Sequence, residues 1–356
     1  MSPTLVAVAC GQPADPDPTP PAVEASSPSA APSTPGPVAT TTTTSSVSLP
    51  SASLVVPPWV RWSRPLVATT REGLVALFGG GGDEASQTFY ARHVAPGRAA
   101  KINQGNPEIA QHDITREACW RGLQSEASGL ATEEQRKVCG GQPYMVPIFE
   151  GGDVTRAKFC IDQFEFPNRP CELPVVWSGA TQAHQVCKKL GKRLCRQEEW
   201  MLACEGDPDG GPPQRYAYGD TLDLEVCNTN KRAAMHNDPP CDARTVQTAW
   251  ETCGTHTEPS GSFPRCRSRF GVYDLHGNVA EAMTRYDAEE GARVSQLKGS
   301  AFFYVDVHRR PHEPRARETY VDVCRHDPRW HVQPMHKAWH VNYHLGFRCC
   351  LDVPAG

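Results

Sequence analysis

Apolar residues recur at helical spacing in SGATQAHQVCKKLGKR, residues 178–193. The apolar positions that share one face of a 3.6-residue repeat are Ala180, Ala183, Val186, Cys187 and Leu190. This spacing predicts an amphipathic helix with Ser178 as its N-cap and Gly191 as its stop. QEEWMLACEG, residues 197–206, predicts a shorter second helix, because acidic residues are favoured in a first turn and Gly206 can end it.

The chain after Gly206 has a different pattern. Glycine, proline and asparagine break it into short pieces, which predicts little regular structure. Disulfides or bound ions would then have to help hold this half together.

Residues 54–142 carry two further helical patterns and no recognisable chemistry. ITREACWRGLQSEA predicts one helix, and ATEEQRKVCGG predicts another with a capping box from Thr132 to Gln135. Cys119 and Cys139 could bridge these helices, although sequence leaves the connectivity open. We interpret the region as a small helical extension.

Residues 11–53 consist mostly of proline, serine, threonine and alanine. Such a segment buries too little apolar surface to offset chain entropy, so we expect a disordered linker. LVAVACGQ precedes it and resembles a bacterial lipobox, which makes residues 1–10 a short lipoprotein signal ending at a lipidated Cys10. The alternative is a chance cysteine in a disordered head.

Charge excludes one class of partner. Thirty-six Lys and Arg against forty Asp and Glu give a net charge of −4, with no long run of either sign. Nucleic-acid binding needs a clustered basic face, so we expect no nucleic-acid partner. No apolar stretch approaches the length of a membrane helix, so membrane contact would come only through a lipid at Cys10.

Cysteine usage indicates the compartment. The sequence has 15 cysteines and no CxxC pair, which favours disulfides in an oxidising environment over zinc knuckles. Lipidation of Cys10 would leave an even number for pairing. Cys195 and Cys204 are poor partners, because one straight helix between them would hold them roughly 13 Å apart.

Several segments together resemble the sulfatase-modifying factor family, whose founding member is the formylglycine-generating enzyme. In family order they are FCIDQFEFPN, PVVWSGATQAHQVCKKLGKRLCRQEEWMLACEG, YAYGD, CNTN, PSGSFP, FGVYDLHGNVAEAM, LKGSAFF and HLGFRCC. The resemblance covers residues 143–352. It implies an α+β, C-type-lectin-like fold that is rich in loops, with a small twisted sheet and two main helices.

The resemblance also locates the family's chemistry, in LKGSAFFYVDVHRRP, residues 297–311. Active members carry two cysteines here that bind copper(I) and attack a substrate cysteine. Ser300 matches the family's active-site serine, but Phe303 and His308 stand at the two cysteine positions. Copper(I) needs soft thiolate ligands, so we expect neither copper nor oxidase activity. A misaligned loop, or Cys324 folding back, could supply a cysteine here, but neither would restore the pair at its spacing.

Other positions depart from the family pattern as well. Cys195 and Arg196 replace the usual Pro-Thr before the second helix, which removes a threonine N-cap worth about 1 kcal/mol unless a disulfide compensates. Ala280 and Ala282 replace two tryptophans. Phe302 and Phe303 are candidates to fill part of that volume.

The resemblance implies structural calcium. Asp274, Glu281 and the carbonyls of Gly277 and Val279 would supply hard oxygen ligands. A second site would use Asn228 and the Thr229 carbonyl. The alternative is that the polar side chains only cap turns. We also expect a disulfide between Cys227 and Cys266, each beside a family loop in this ion-binding half.

Five histidines lie within nineteen residues: His326, His331, His336, His340 and His344. On one helix the last three would share a face and could bind a transition metal. Pro334 and Asn342 argue against that helix.

The sequence therefore favours an envelope-tethered, disulfide-stabilised module that binds a protein, peptide or glycan, or acts in assembly, without the family's oxidase activity. Two alternatives stay open. One is a metal-dependent oxidoreductase of the same fold that uses a histidine site, and the other is a divergent formylglycine-generating enzyme.

Overall fold

The computed structural model describes residues 56–60, 66–78, 83–125, 129–229, 231, 240–303, 322–328 and 332–353. Cys10, the linker at residues 11–53, His308 and His331 lie outside the described residues. Residues 55–356 form one compact unit. Within the described ranges, no helix has the length and apolar character needed to cross a membrane.

Seven α-helices are distributed along the described chain. They are α1 (Arg71–Leu77), α2 (Glu84–His93), α3 (Arg116–Ser125), α4 (Glu133–Val138), α5 (Ala180–Lys189), α6 (Gln197–Glu205) and α7 (Val246–Thr252). Short 3₁₀ helices cover Pro58–Val60, Val154–Arg156 and Met335–Lys337. The helices predicted from the apolar repeats correspond to α3, α4, α5 and α6.

The helix ends show which capping predictions hold. The capping box at α4 is present, because Thr132 accepts from the Gln135 amide and the Gln135 side chain accepts from the Thr132 amide. At α5 the N-cap is Gly179 rather than Ser178. The Gln182 side chain accepts from the Gly179 amide at 3.1 Å, so this contact replaces the predicted serine cap.

The expected small sheet is present as two sheets. In the first, β1 (Met145–Ile148), β2 (Phe159–Asp162), β7 (Cys349–Leu351) and β3 (Arg193–Leu194) lie in that order, and every pair is antiparallel. In the second, β4 (Ala280–Asp287) lies between antiparallel β5 (Ala292–Lys298) and parallel β6 (Leu345–Phe347).

The largest apolar core joins the N-terminal helices to the second sheet. Leu74 of α1, Val186 of α5 and Leu345 of β6 belong to it, as do Ala280 and Ala282 of β4. Within the region predicted as an extension, α1 and α2 therefore share a core with the family-like segment rather than packing alone.

The two alanines at family tryptophan positions are only partly compensated. Phe303 packs against the core that contains Ala280 and Ala282, as the sequence suggested. Phe302 points elsewhere, towards His256 and Tyr343. A small cavity of about 20 Å³ remains beside Ala282.

Seven disulfides link the described part of the chain. The pairs are Cys119–Cys171, Cys139–Cys160, Cys187–Cys349, Cys195–Cys350, Cys204–Cys324, Cys227–Cys266 and Cys241–Cys253. The expected Cys227–Cys266 pair is among them, and Cys195 does not pair with Cys204. The prediction that Cys119 and Cys139 are bridged is wrong, since Cys119 is bonded to Cys171 in the loop after β2 and Cys139 is bonded to Cys160 on β2.

Cys349 and Cys350 anchor β7 on both faces of its sheet. Successive side chains of a strand point to opposite faces, so the two sulfurs diverge. Cys349 is bonded to Cys187 on α5, and Cys350 is bonded to Cys195 at the start of α6. The second bridge lies next to Arg196, where the family's threonine cap is missing.

Candidate functional site

Ser300, at the family's active-site serine position, is buried just beyond the end of β5. Its hydroxyl donates to Asp322 Oδ2 at 2.5 Å and accepts from the Gly277 amide at 2.9 Å. The residue is only 2 % exposed. The serine hydroxyl is therefore engaged within the protein as both donor and acceptor.

The imidazole of His276 lies on the other side of Asp322. Its Nδ1 is 3.3 Å from Asp322 Oδ2, and its Nε2 accepts from the Ala217 amide at 3.0 Å. Nδ1 is close to this carboxylate but is not aligned for a hydrogen bond with it, so the contact is electrostatic. His276 is 1 % exposed, so this arrangement is shielded from water.

The Cys204–Cys324 disulfide lies against the same ring. His276 Nε2 is 3.5 Å from Cys204 Sγ and 4.0 Å from Cys324 Sγ. Among the described residues, these three form the one group of three or more His, Cys, Asp or Glu residues whose ligand atoms lie close enough to hold a metal. Three aromatic rings surround the imidazole, those of Trp200, Tyr216 and Tyr218.

Phe303 lies where the resemblance places the first copper-binding cysteine. Its ring centroid is 4.9 Å from that of His344 and 5.8 Å from that of Tyr343. The phenyl ring is thus part of an aromatic cluster and offers no ligand atom. His308, at the second cysteine position, is outside the described residues.

A buried charge network lies beneath the segment that contains the candidate calcium ligands. Arg348 is fully buried and contacts both carboxylate oxygens of Glu281, at 2.5 and 2.7 Å. Trp200 donates to one of these oxygens at 2.9 Å. The guanidinium also donates to the carbonyls of Tyr273 and Asp162. Arg348 therefore takes oxygen contacts of the kind that a bound cation would take.

Two more carboxyl groups face this network. Burial raises the pKa of Asp274 to about 7, although the hydrogen bond from Gly261 and the charge of Arg348 oppose the change. Burial also raises the pKa of Glu165 well above its usual range, and the negative charges of Asp274 and Glu281 reinforce this. Both groups therefore retain protons at pH values where exposed carboxyl groups are ionised.

The structure brings the two candidate calcium segments side by side. Gly277 has a positive φ of 74°, and a Cβ there would meet the Asn228 carbonyl at 2.4 Å, so only glycine fits. The Asn228 side chain donates to Asn278 Oδ1 at 2.9 Å, and the Thr229 hydroxyl donates to the Leu224 carbonyl. The Val279 amide donates to Glu165. Because Arg348 and Trp200 hold Glu281, that carboxylate could ligate calcium only after releasing them.

The histidine-rich segment does not form the helix that would have aligned its last three members. Among the described residues of this segment, only Met335–Lys337 is helical, as one 3₁₀ turn, so His336, His340 and His344 do not share a face. The segment is instead bonded to the rest of the fold, since the Ala338 carbonyl accepts from Thr181 and the His344 carbonyl accepts from Ala280. None of these histidines belongs to a metal-competent group in the described chain.

Sequence reasoning missed the partners of Ser300 and Glu281. Asp322 and His276 could not be connected to Ser300, because each of them lies at least 22 residues from it in the chain. Arg348 did carry a signal, as a lone charged residue in the otherwise apolar HLGFRCC. A buried charge requires an opposite partner, and for Arg348, which lies between β6 and β7, that partner is Glu281.

Comparisons with known proteins identify a matching family model. A family model described as the sulfatase-modifying factor enzyme 1-like domain matches residues 88–353. The curated protein inactive C-alpha-formylglycine-generating enzyme 2, from Mus musculus, is 31% identical over 151 residues, which are 42% of this chain and 43% of that protein. The match thus spans less than half of that relative. The crystal structure of CarF gives a TM-score of 0.33 at 16% identity, covering 51% of this chain and 68% of that chain.

Proposed function

The chain belongs to the sulfatase-modifying factor family, and we propose that it acts in binding or assembly at the cell envelope rather than in formylglycine formation. The observation that carries this proposal is the ring of Phe303 at the first copper-ligand position. Copper(I) is held by soft thiolates, and a phenyl group cannot replace one.

The state of the cysteines supports the same conclusion. Every cysteine in the described part of the chain is in a disulfide, so this part supplies no thiolate nucleophile. The curated mouse relative is itself named inactive. Seven disulfides also indicate an oxidising, extracytoplasmic setting.

An oxidase assay tests the proposal directly. The oxidised chain is incubated with copper, oxygen and a peptide that carries a Cys-x-Pro-x-Arg motif, and mass spectrometry detects conversion of the peptide cysteine. We expect no conversion, while an active family member assayed in parallel converts the peptide. A matched Phe303→Cys/His308→Cys variant should bind copper(I) more tightly than the wild type. Copper-dependent turnover by the wild type would overturn the proposal.

Exposed aromatic residues on a rigid frame support the binding role. Trp339 is 54% exposed in the loop before β6. Disulfides such as Cys187–Cys349 cross-link the described part of the fold around this loop. Loops on rigid scaffolds often carry recognition, and tryptophan is enriched at binding hot spots. The partner class is a protein, peptide or glycan.

Arrays of defined peptides and glycans would identify that class. For a ligand found in this way, we expect Trp339→Ala to weaken binding at least about 10-fold. Tyr286→Ala is the control, because Tyr286 is a comparably exposed aromatic residue on β4, at 65%. Equal binding by both variants and the wild type would exclude the Trp339 loop.

Calcium is the structural ion that we propose for this module. Asp274 and the carbonyls of Gly277 and Val279 are the ligands, and Glu281 joins them if Arg348 releases it. One equivalent of calcium by mass spectrometry, with a lower Tm after chelation, is the expected result. An unchanged Tm would mean that the Arg348 guanidinium serves in place of the ion. Stoichiometric iron or copper would instead support the alternative function, a metal-dependent oxidoreductase.

The tether is tested in a bacterial host. We expect the wild-type chain, expressed with a complete signal, to fractionate with membranes through a lipid on Cys10. Cys10→Ser should move it to the soluble extracytoplasmic fraction without changing its Tm. Equal fractionation of the two forms would remove the lipid anchor from the proposal.

A further inference from the structure

The Cys204–Cys324 disulfide differs from the other six in the chemistry beside it. The ring nitrogen Nε2 of His276 lies 3.5 Å from one sulfur and 4.0 Å from the other. We propose that Cys204, Cys324 and His276 form a zinc site once the disulfide between the two cysteines is reduced. These cysteines are not at the family's copper positions, which Phe303 and His308 occupy.

The distances suit a tetrahedral zinc ion. Zinc–sulfur bonds of about 2.3 Å and zinc–nitrogen bonds of about 2.0 Å place S and N ligand atoms roughly 3.6 Å apart. The observed nitrogen–sulfur distances of 3.5 and 4.0 Å already bracket this value. The two sulfurs need only separate to about 3.8 Å after their bond is broken. Two thiolates and one imidazole leave a fourth position for water.

Asp322 prepares His276 for this role. A zinc-bound histidine usually donates its second ring N–H to a carboxylate, which fixes the ring and makes the ligating nitrogen more basic. Nδ1 of His276 faces Asp322 Oδ2 at 3.3 Å without a well-aligned hydrogen bond in the oxidised protein, and Ser300 donates to that same oxygen. The lone pair on Nε2 therefore faces the sulfurs and the Ala217 amide, whose hydrogen bond a metal ion would replace.

A solvent-open pocket adjoins the chain segments that carry the disulfide, whose two cysteines are themselves buried. An open pocket of about 270 Å³ is lined by Glu205, Val323 and Arg325, among others. Glu205 follows Cys204 in the chain, and Val323 and Arg325 flank Cys324. A small reductant and a zinc ion can therefore reach the chain segments that hold the disulfide.

The chemistry has two balanced steps. An external dithiol gives two electrons and two protons to the disulfide, which becomes two thiols while the dithiol becomes a disulfide. Zn²⁺ then replaces the two thiol protons, which are released to water, and accepts the lone pair of Nε2. Zinc is the ion of choice because thiolate and imidazole are its usual ligands and because it undergoes no redox change.

The test uses the full chain in oxidised and partially reduced forms. A phosphine reductant is titrated and removed, zinc is added, and bound metal is measured after desalting. We expect one zinc per reduced chain and none per oxidised chain. Peptide mapping after alkylation should show that zinc protects Cys204 and Cys324. Cobalt(II) in place of zinc should give a thiolate charge-transfer band, and copper(I) competition reports whether a second soft ion binds there.

Variants separate this site from general thiol binding. His276→Gln should lower zinc affinity at least about 100-fold, and Asp322→Asn about 10- to 100-fold. Cys241→Ser/Cys253→Ser is the control and should bind zinc like the wild type. Equal zinc retention by Cys204→Ser/Cys324→Ser would overturn the proposal. Reduction of this bond only together with loss of the near-UV circular dichroism would overturn it as well.

Discussion

Arg348 shows how much one residue can determine in this fold. Its guanidinium is fully buried and joins Glu281 to the carbonyls of Tyr273 and Asp162. A buried ion pair is costly to form, but removing one partner is costlier, since the other charge is left unpaired. The pair therefore fixes the arrangement of β4 and the strand ends more than it adds net stability.

Replacing Arg348 tests this. We expect Arg348→Met to lower the free energy of unfolding by about 3–5 kcal/mol, because Glu281 loses its counter-charge in a buried site. Urea denaturation measures the change. Arg244→Met is the control, since Arg244 pairs with Asp242 at the surface with its side chain 88% exposed, and we expect no measurable effect. Similar losses in both variants would contradict the role given to Arg348.

His256 gives a prediction about pH. Burial, assisted by the nearby Lys231 and His112, lowers its pKa from 6.5 to about 4. Between these values the unfolded chain binds the proton and the folded chain does not, so the contribution of His256 to stability is complete above pH 6.5 and is lost as the pH falls towards 4.

The measurement compares the wild type with His256→Gln across this range. We expect the wild type to lose up to about 1.4 kcal/mol per pH unit relative to the variant as the pH falls. The comparison is needed because Asp274, whose raised pKa acts in the opposite direction, titrates in the same window. Parallel curves for the two proteins would contradict the prediction.

For single residues, the sequence predicted which residue type occupies a functional position more readily than which other residues its side chain contacts. Phe303 and Ser300 could be placed from the motif around them, because identity at an aligned position is local information. His276, Asp322 and Cys324 could not be assembled, since contacts between distant segments depend on the finished fold. The absence of a helix that would align His336, His340 and His344 was signalled locally, by Pro334 and Asn342.

Among the elements, α5 and α6 were the most predictable. α5 carries a periodic apolar face, α6 carries acidic residues in its first turn, and each has a glycine at or just beyond its end; these signals are local. β3 and β6 have only two and three residues, so they have no pattern of their own. They form because β7 and β4 offer them hydrogen-bond partners.

The start of α6 shows how the helix manages without the family's threonine. Arg196 is the N-cap and makes no side-chain cap. Glu199 compensates, because its carboxylate accepts from the Arg196 amide at 2.9 Å and pairs with Arg193 at 2.6 Å. The Cys195–Cys350 bridge adds a covalent anchor one residue before the cap.

We therefore expect Glu199→Ala to lower the free energy of unfolding by about 2 kcal/mol, since it removes charge-assisted hydrogen bonds. Glu198→Ala is a matched control: it lies in the same first turn, but it is exposed. It should change stability by less than about 0.5 kcal/mol. Equal effects would assign the contribution to the helix dipole alone.

For the whole molecule, two neighbouring disulfides carry overlapping restraints. Cys187–Cys349 and Cys195–Cys350 close loops of 162 and 155 residues. While one disulfide is intact, removing the other frees only the short chain segments between the two bridges, residues 187–195 and 349–350. Each single replacement by alanines should therefore cost about 3 kcal/mol, and the double replacement more than the sum. Denaturation of the four proteins measures this, and simple additivity would argue that the bridges act independently.

The placement of Cys349 and Cys350 also dictates an order of events during biosynthesis. A chain that crosses a membrane from its N-terminus exposes Cys187 and Cys195 to oxidants well before their partners arrive, 162 and 155 residues later. Both thiols must stay unpaired until then, or they form non-native disulfides with cysteines that emerge sooner. Maturation of this protein should therefore depend on a disulfide isomerase, and chains cut short before β7 should accumulate as mispaired isomers.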